Sequence, residues 1–183
     1  MTARLGILLS GAGSTYVNLV EAIRDGRLPA VIAVVISSKP GTGGLLKAAS
    51  YGHPTVVASD ADAVTAALRA HQVQWVAMCG WLKYWDPPGE FRGRTVNIHP
   101  ALLPAFGGPG MYGRKVHEAV IVQGVRTSGC TVHLVAGGYD SGPIIAQATV
   151  AIAPDDTADT LQARVQAAER DLYPRALADL LRD

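Results

Sequence analysis

An amide and an imidazole lie two residues apart, at Asn97 and His99, just before a proline. The apolar residues Val96 and Ile98 alternate with them, which predicts a short strand with the polar pair on one face and the apolar pair in a core. An amide donates hydrogen bonds to oxygen, and an imidazole donates, accepts or carries a proton. The pair therefore has the chemistry to activate a carbonyl group. The alternative is a core amide beside a buried, hydrogen-bonded histidine.

A carboxylate that could assist the imidazole is Asp140, in a glycine-rich turn between two later strand-like runs. Beside His99 it would favour the imidazolium form and orient a water molecule. Aspartate among glycines is also typical of a turn that bonds its own backbone, and on the residues alone this interpretation prevails. Two other histidines are assigned no chemistry. We expect His133 to be a satisfied buried residue, with a supporting role as the alternative, and His117 to be half exposed on a helix.

Small residues fill the turn 11–15 between the first predicted strand and its helix. Backbone amides at a helix N-terminus bind anions, and small side chains let a phosphate approach closely. An ordinary tight turn explains the same residues equally well. A dinucleotide is disfavoured because Tyr16 occupies the third glycine position and the second strand ends in serines. The lysine of a Walker motif is also missing, so a small phosphate ester fits better.

Two further segments carry residue types that bind ligands. Three aromatic residues surround Lys83 in the irregular loop 80–89 and could hold a flat ring system, or they could form an aromatic plug in a surface loop. Gln166 and Glu169 lie one turn apart on the predicted last helix, where a solvated face is the ordinary explanation.

The elements that must position these side chains follow from periodicity. Strand-like runs alternate with helical segments, which is the pattern of a doubly wound α/β sheet. The glycine-rich loop 105–111 is expected to be too flexible for a core, and Pro174 to kink or split the last helix. The predicted strands are 4–9, 30–36, 54–57, 73–78, 95–100, 131–135 and 144–152. The predicted helices begin after Thr15 and at residues 45, 61, 116 and 157.

Composition limits the class of protein. The chain has 183 residues, 49% of them hydrophobic, and a formal net charge of +1. This length suits one domain spanning 1–183. The near-zero net charge gives no reason to expect a basic surface that binds nucleic acid or a membrane. The apolar runs are too short for a membrane span, and the first residues do not form a signal peptide. Cys79 and Cys130 suit reduced thiols, and no metal-ligand spacing occurs, so we expect a cytoplasmic protein without a metal.

The segment 97–104, Asn-Ile-His-Pro-Ala-Leu-Leu-Pro, resembles the signature of the folate-dependent formyltransferases. The resemblance runs nearly end to end and is nearest to the members that act on glycinamide ribonucleotide in purine synthesis. It implies a Rossmann-like formyltransferase fold, with a mostly parallel twisted sheet, helices on both faces and a long C-terminal helix. The other segments that carry it are 8–14, 35–38, 107–113, 131–135, 140–147, 164–169 and 173–174.

The resemblance implies that the co-substrate is 10-formyltetrahydrofolate, whose formyl group passes to the amine of glycinamide ribonucleotide. His99 would be the general acid, and Asn97 would donate to the developing oxyanion. Asp140 would raise the pKa of the imidazole and hold a water that relays the proton. The implied phosphate site is Gly13, Ser14 and Thr15, and the implied ribose and glycinamide contacts are Gln166 and Glu169. The implied folate pocket comprises Leu82, Lys83, Tyr84, Trp85, Asn97, Ala136, Gly137, Gly138, Tyr139 and Asp140.

The sequence departs from the family in three loops. Thr15 stands where the family commonly has asparagine. The segment 80–85 is Gly-Trp-Leu-Lys-Tyr-Trp, where the family commonly has Gly-Phe-Met-Arg-Ile-Leu. The residues before Asp140 are commonly acidic in the family but are Ala-Gly-Gly-Tyr here, which predicts a looser folate loop.

Alternative functions divide into two classes. The first is a formyltransferase for another amine, such as an amino sugar nucleotide. Members that act on charged transfer RNA carry a further C-terminal domain. Formyltetrahydrofolate hydrolases carry an N-terminal regulatory domain, and we expect neither domain here. The second class is a non-catalytic folate- or nucleotide-binding module, which has no need of a proton-transfer set such as Asn97, His99 and Asp140. A homodimer is left open by the sequence.

Overall fold

The computed structural model describes residues 2–182, and within them seven strands and five helices position the predicted site residues. All of the predicted elements are present, with differences of a few residues at their ends. The strands are β1 (Ala3–Leu9), β2 (Ala30–Ser37), β3 (Thr55–Val57), β4 (Trp75–Met78), β5 (Thr95–His99), β6 (Thr127–Leu134) and β7 (Ile144–Ala151). The helices are α1 (Ser14–Arg24), α2 (Gly43–Ser50), α3 (Ala61–Ala70), α4 (Arg114–Gln123) and α5 (Ala158–Leu180).

The strands form one sheet in the order β3-β2-β1-β4-β5-β6-β7. The pairs from β3 through β5 are parallel, whereas β6 and β7 pair antiparallel with their neighbours. The prediction of a mostly parallel α/β sheet is therefore confirmed. The chain runs outward from β1 to β3 and then returns to the other side of β1 with β4. Open α/β sheets bind ligands where the strand order reverses in this way, outside the carboxyl ends of the strands.

Apolar side chains pack on both faces of the sheet. Successive residues of a strand face opposite ways, so Leu5 and Ile7 of β1 belong to one buried cluster and Leu8 to another. The first cluster includes residues of α1, α4 and α5, and the second includes residues of α3. Helices on both faces exclude water from the sheet, which fixes the strand ends that carry the site.

Helix α5 continues past Pro174 as a single helix, so the expectation that proline would split it is wrong. Proline has no N–H, and the carbonyl group of Arg170, four residues earlier, therefore loses its usual helical partner. The side chain of Asn18 on α1 replaces that partner, because its Nδ2 donates to the Arg170 carbonyl oxygen at 3.0 Å. Asn18 is buried, so this bond also links α1 to α5.

Strand β6 begins at Thr127, four residues earlier than the sequence predicts. Gly129 explains the extension, because a Cβ at this position would collide with the Ala148 carbonyl group on β7. The antiparallel pairing of the two strands is close here and accepts only glycine. Sequence periodicity carries no signal for such a contact between two strands.

The two cysteines are buried free thiols, as predicted. Burial raises the pKa of both thiols, to about 12 for Cys130, which keeps them protonated and poorly reactive. As for membranes, none of the helices within residues 2–182 combines the length and apolar character that a crossing requires.

Candidate active site

Strand β5 presents Asn97 and His99 at the carboxyl end of the sheet, where both line a cleft of about 370 Å³. The strand lies between the parallel β4 and the antiparallel β6. Val96 and Ile98 point to the other face and are part of the core. The predicted strand and the assignment of its two faces are therefore confirmed.

His99 faces an acceptor at each ring nitrogen. Its Nε2 donates to the Phe106 carbonyl oxygen at 2.8 Å, and its Nδ1 lies 3.4 Å from Oδ2 of Asp140. Burial lowers the pKa of His99 below its usual value, and the Asp140 carboxylate and the Phe106 carbonyl oppose this without overcoming it. Asp140 thus raises the pKa of the His99 imidazole, as expected. The pKa is nevertheless lower than usual, because burial lowers it by more than Asp140 raises it.

Asp140 is held in a left-handed backbone conformation, with φ of 52°, which few non-glycine residues adopt. Its Oδ2 accepts a hydrogen bond from the Gly108 N–H at 3.0 Å, and its Oδ1 lies 3.6 Å from Nε2 of His133. Burial raises the pKa of this carboxyl, but His133, the charge of His99 and the Gly108 N–H together bring it below its usual value. The group is therefore a carboxylate at neutral pH, set between two imidazoles.

The amide of Asn97 is oriented by His133, which lies directly across β5 and β6. Nδ1 of His133 donates to the Leu134 carbonyl oxygen at 2.8 Å, which leaves Nε2 as the acceptor for Asn97 Nδ2 at 3.1 Å. His133 is buried and hydrogen-bonded, as predicted. Since a side-chain amide has two N–H groups and His133 takes one, the second is left for an oxygen in the cleft.

His117 on α4 is buried, with 1% exposure, and the expectation of a half-exposed residue is wrong. Val116, His117 and Val120 lie on one ordinary buried stripe of α4, which spans about 100° of the helix, so the helical period itself places His117 on the inner face. His117 lines the cleft, and its Nδ1 has no hydrogen-bond partner within residues 2–182. Burial, and then the charge of His99, lower the pKa of this imidazole, so it is neutral at pH 7.

The N-terminus of α1 closes one end of the cleft, where Thr15 lines it. Gly13, the N-cap, has φ of 75°, and a Cβ there would lie 2.6 Å from the Gly44 Cα of α2, so this close approach requires glycine. Gly13 and Ser14 are next to the cleft but do not line it. Nζ of Lys47 donates to the Ala12 carbonyl oxygen at 2.9 Å, which sets a cation beside this helix end that sequence reasoning missed.

Helix α5 forms another wall of the cleft through Gln166 and Glu169. Gln166 is exposed and Glu169 is partly buried. Burial raises the pKa of Glu169 to about 7, although Arg170 acts in the opposite direction. Gln162, one turn earlier, also lines the cleft and was not singled out from the sequence.

The aromatic segment 81–85 is divided between buried and exposed side chains, all of which line the cleft. Trp81 and Trp85 are the buried pair, and Nε1 of Trp85 donates to Thr65 Oγ1 at 3.2 Å. Leu82 and Tyr84 are exposed and line the cleft together with Lys83. Across from them, the loop before Asp140 lines the cleft through Gly137, Gly138 and Tyr139, whereas Ala136 does not.

The glycine-rich loop 105–111 is part of the site instead of a flexible connection. Phe106 packs against the main core and has a left-handed φ of 58°, which turns its carbonyl group towards His99. Gly108 supplies the N–H that holds Asp140. Sequence periodicity cannot reveal such contacts, because they come from irregular backbone that approaches two side chains distant along the chain.

Comparison with known proteins places this arrangement in a family. The family model described as formyl transferase matches residues 3–177. The chain belongs to the formyl transferase family. The matched region includes the whole sheet and most of α5. Asn97, His99 and Asp140 all lie within it and line the same cleft.

Two curated relatives of this formyl transferase are longer than the chain, which spans less than two thirds of either one. It is 40% identical over 97% of its length to the trifunctional purine biosynthetic protein adenosine-3 of Drosophila melanogaster, of which it spans 14%. It is 40% identical over 93% of its length to a chloroplastic phosphoribosylglycinamide formyltransferase of Vigna unguiculata, of which it spans 58%. It is also similar to the crystal structure of phosphoribosylglycinamide formyltransferase from Brucella melitensis. That match has a TM-score of 0.88 and 38% identity, and it covers 98% of this chain and 96% of the other.

Within residues 2–182 of this formyl transferase, no group of three or more histidine, cysteine, aspartate or glutamate side chains is placed to hold a metal ion. The polar groups of the cleft instead suit an organic substrate. Two carboxylates, three imidazoles and three side-chain amides line a cavity whose other walls include aromatic and glycine residues. Small-molecule sites commonly combine mostly apolar walls with a few convergent polar groups in this way.

Proposed function

We propose that this formyl transferase moves a formyl group from 10-formyltetrahydrofolate to the amine of glycinamide ribonucleotide in purine biosynthesis. The observation that carries the proposal is the convergence of Asn97, His99 and Asp140 on one cleft at the carboxyl end of β5. The relatives from Vigna unguiculata and Brucella melitensis bear the name of this activity and support the same acceptor.

The proposed reaction begins when the glycinamide amine attacks the formyl carbon. The π electrons of the C=O bond move to oxygen and give a tetrahedral intermediate with a developing oxyanion. The free N–H of Asn97 donates to this oxygen, and fixed donors of this kind contribute roughly 3–4 kcal/mol each. The carbonyl then re-forms as the bond to N10 of the folate breaks, and a proton from the attacking amine passes to N10.

His99 is the proposed general acid of this reaction. Its Nδ1 is 3.4 Å from Asp140, longer than an ordinary hydrogen bond, so a proton on Nδ1 can be shared with the formyl oxygen or with a relay water. Burial lowers the pKa of His99, and the Asp140 carboxylate partly offsets this. Asp140 is thus proposed to keep enough of the imidazolium present near neutral pH for proton transfer.

The proposed binding sites occupy the two ends of the cleft. The ribonucleotide phosphate would accept hydrogen bonds from the backbone N–H groups of Gly13, Ser14 and Thr15 at the N-terminus of α1. The charge of Lys47 lies close to this helix end. Gln166 and Glu169 would contact its ribose and glycinamide. The folate would lie between the wall of Leu82, Lys83, Tyr84 and Trp85 and the facing set of Asn97, Ala136, Gly137, Gly138, Tyr139 and Asp140.

We also propose a cytoplasmic location, since the two buried thiols are free, as expected in a reducing compartment. A homodimer stays a prediction, which light scattering of the purified chain would check. The amino sugar nucleotide and binding-module alternatives are outcomes of the test below.

The test is a formyl-transfer assay on the purified chain with glycinamide ribonucleotide and 10-formyl-5,8-dideazafolate, followed by absorbance of the deformylated product. We expect turnover that requires the ribonucleotide, is abolished in His99→Ala and is retained in the matched control His71→Ala, which alters a histidine outside the cleft. Product release without ribonucleotide would indicate a hydrolase. Folate binding without turnover would favour another acceptor or a binding module.

A further inference from the structure

Two tyrosines bridge the cleft between the aromatic segment 81–85 and the loop 136–140. The Tyr84 hydroxyl donates to the Gly137 carbonyl oxygen at 3.1 Å, and the rings of Tyr84 and Tyr139 have centroids 5.5 Å apart at an interplanar angle of 60°. We propose that this bridge holds the loop that carries Asp140 in its working position before any ligand binds. Tyr84 and Tyr139 are then positioning residues for Asp140, an inference that rests on the function proposed above.

The loop requires an external support because its own residues restrain it weakly. Gly137 and Gly138 have no side chains, and both Gly137 and Asp140 have left-handed φ values, of 68° and 52°. The Ser141 hydroxyl lies 3.0 and 2.9 Å from the carbonyl oxygens of Ala136 and Gly138. These two contacts shape the turn from within, and the bond from the Gly108 N–H to Asp140 Oδ2 attaches the end of the loop, so Gly137 and Gly138 are the part that needs support from elsewhere. The looser folate loop that the sequence predicts is thus opposed by a contact from elsewhere.

Tyr84 is suited to give this support because the segment that carries it is anchored. Trp85, the next residue, is buried with 3% exposure, and its indole N–H is bonded to Thr65 on α3. In the part of the chain from 2 to 182, the Tyr84 bond is the only hydrogen bond that joins 81–85 to 136–140. Removal of this side chain therefore separates the two walls.

The exposure of the two rings argues against a role in core packing. Tyr84 is 54% exposed and Tyr139 is 44% exposed, so each ring contacts its partner at the rim of the cleft while its other face meets solvent. Large rings left at a rim contribute little to burial, whereas a pair that spans two segments restricts their relative motion. The tyrosine pair thus acts together with the Gly108 N–H to keep Asp140 beside His99 and His133, at 3.4 and 3.6 Å.

Hydrogen exchange of the ligand-free full chain tests the bridge without reference to activity. We expect exchange of the amides of 136–141 to be about tenfold faster in Tyr84→Leu and about threefold faster in Tyr84→Phe, which keeps the ring pair but loses the hydroxyl. Tyr139→Phe keeps the ring pair and should leave the exchange unchanged. Unchanged exchange in Tyr84→Leu, with global stability equal to wild type, would overturn the proposal.

Kinetics separate positioning from a purely structural role. Because Tyr84 also lies on the proposed folate wall, a higher folate KM in Tyr84→Leu follows from lost contact alone, so the discriminating readout is kcat, which should fall several-fold while the KM for glycinamide ribonucleotide stays the same. The pKa of His99, followed by NMR, should fall because the Asp140 carboxylate is no longer held beside it. A variant with wild-type kcat and His99 pKa refutes positioning. If the wild-type chain transfers no formyl group, the proposed function fails, whereas the exchange result still decides the bridge.

Discussion

At the scale of single residues, the Asp140→Asn substitution separates the charge of the carboxylate from its shape. The carboxylate raises the pKa of His99 against the larger effect of burial, so its removal should lower that pKa further. Less imidazolium would then be present at pH 7, and we expect formyl transfer to fall roughly 100-fold or more. NMR titration of the histidine rings checks the direction of the change. His53, hydrogen-bonded to Tyr16 outside the cleft, should titrate identically in both proteins.

A contradictory result for Asp140→Asn would be an unchanged or raised pKa of His99. That outcome would show that the 3.4 Å approach of the two groups does not persist in solution. Retained activity with a lowered pKa would remove His99 from the role of general acid and leave it only as a hydrogen-bond donor.

Glu169 offers a second prediction at this scale, on the pH dependence of stability. Its pKa is raised by burial to about 7, so the folded state binds more protons than the unfolded state between the ordinary glutamate value and pH 7. The contribution of this residue to stability should therefore fall as pH rises through that window. Glu169→Gln should therefore unfold with a higher free energy than the wild type at pH 8. This gain should exceed the gain at pH 5 by at most about 3 kcal/mol, because the group is partly solvated.

Urea unfolding of Glu169→Gln at pH 5 and pH 8 measures the difference directly. The matched control is Glu21→Gln, which changes an exposed glutamate on α1 and should have the same small effect at both pH values. A stability gain that does not depend on pH would mean that Glu169 is well solvated in the folded state.

Which residues of the site could be predicted from the sequence depends on how each is held. Asn97 and His99 follow from a strand period of two, which local sequence carries. The hydrogen bond from His99 to the Phe106 carbonyl depends on a left-handed residue in an irregular loop, and no periodicity predicts it. His117 was misjudged although it shares the buried stripe of Val116 and Val120, because its polar residue type was given more weight than its position on the helix. Local patterns thus locate the strand-borne groups but not the loop contacts that orient them.

At the scale of elements, the contact between α1 and α5 depends on one side chain that compensates for a proline. Asn18 donates to the carbonyl group of Arg170, which Pro174 leaves without a helical partner. We expect Asn18→Ala to lower the free energy of unfolding by about 1 kcal/mol, because the Arg170 carbonyl loses its donor. Chemical denaturation measures the loss.

A double-mutant cycle isolates this compensation. Pro174→Ala restores a backbone N–H for the Arg170 carbonyl, so the loss caused by Asn18→Ala should be smaller in the Pro174→Ala background. Equal losses in the two backgrounds would show that Asn18 acts only through packing. The sequence predicted a kink or a split at Pro174, but α5 is not split, and the donor that serves the Arg170 carbonyl lies 152 residues away along the chain.

At the scale of the whole molecule, the sheet order decides where the site lies. The return of the chain from β3 to β4 sets the end of β1, with the glycine-rich turn after it, near the ends of β4 and β5. The antiparallel register pairs Leu134 with Val96 and Thr131 with His99, so the Asp140 loop leaves β6 beside the beginning of β5 and reaches His99 by folding back over the sheet. Topology thus brings the turn after β1 near the end of β5, which the strand–helix alternation made predictable in outline, whereas Asp140 depends on the path of its own loop.

The same topology predicts that ligand binding and turnover are separable. A ligand that binds only the folded chain stabilises it, by about 2.7 kcal/mol at 100 times its Kd, which for a chain of this size raises Tm by roughly 5–10 °C. Glycinamide ribonucleotide and the dideazafolate analogue should each produce such a shift in thermal denaturation. His99→Ala should keep both shifts and lose turnover, because the phosphate and folate contacts lie on α1, on the segment 81–85 and on the loop 136–140. Loss of both shifts in His99→Ala would mean that the imidazole builds the cleft instead of acting within it. Turnover that persists with His99→Ala would transfer the proton chemistry to another group.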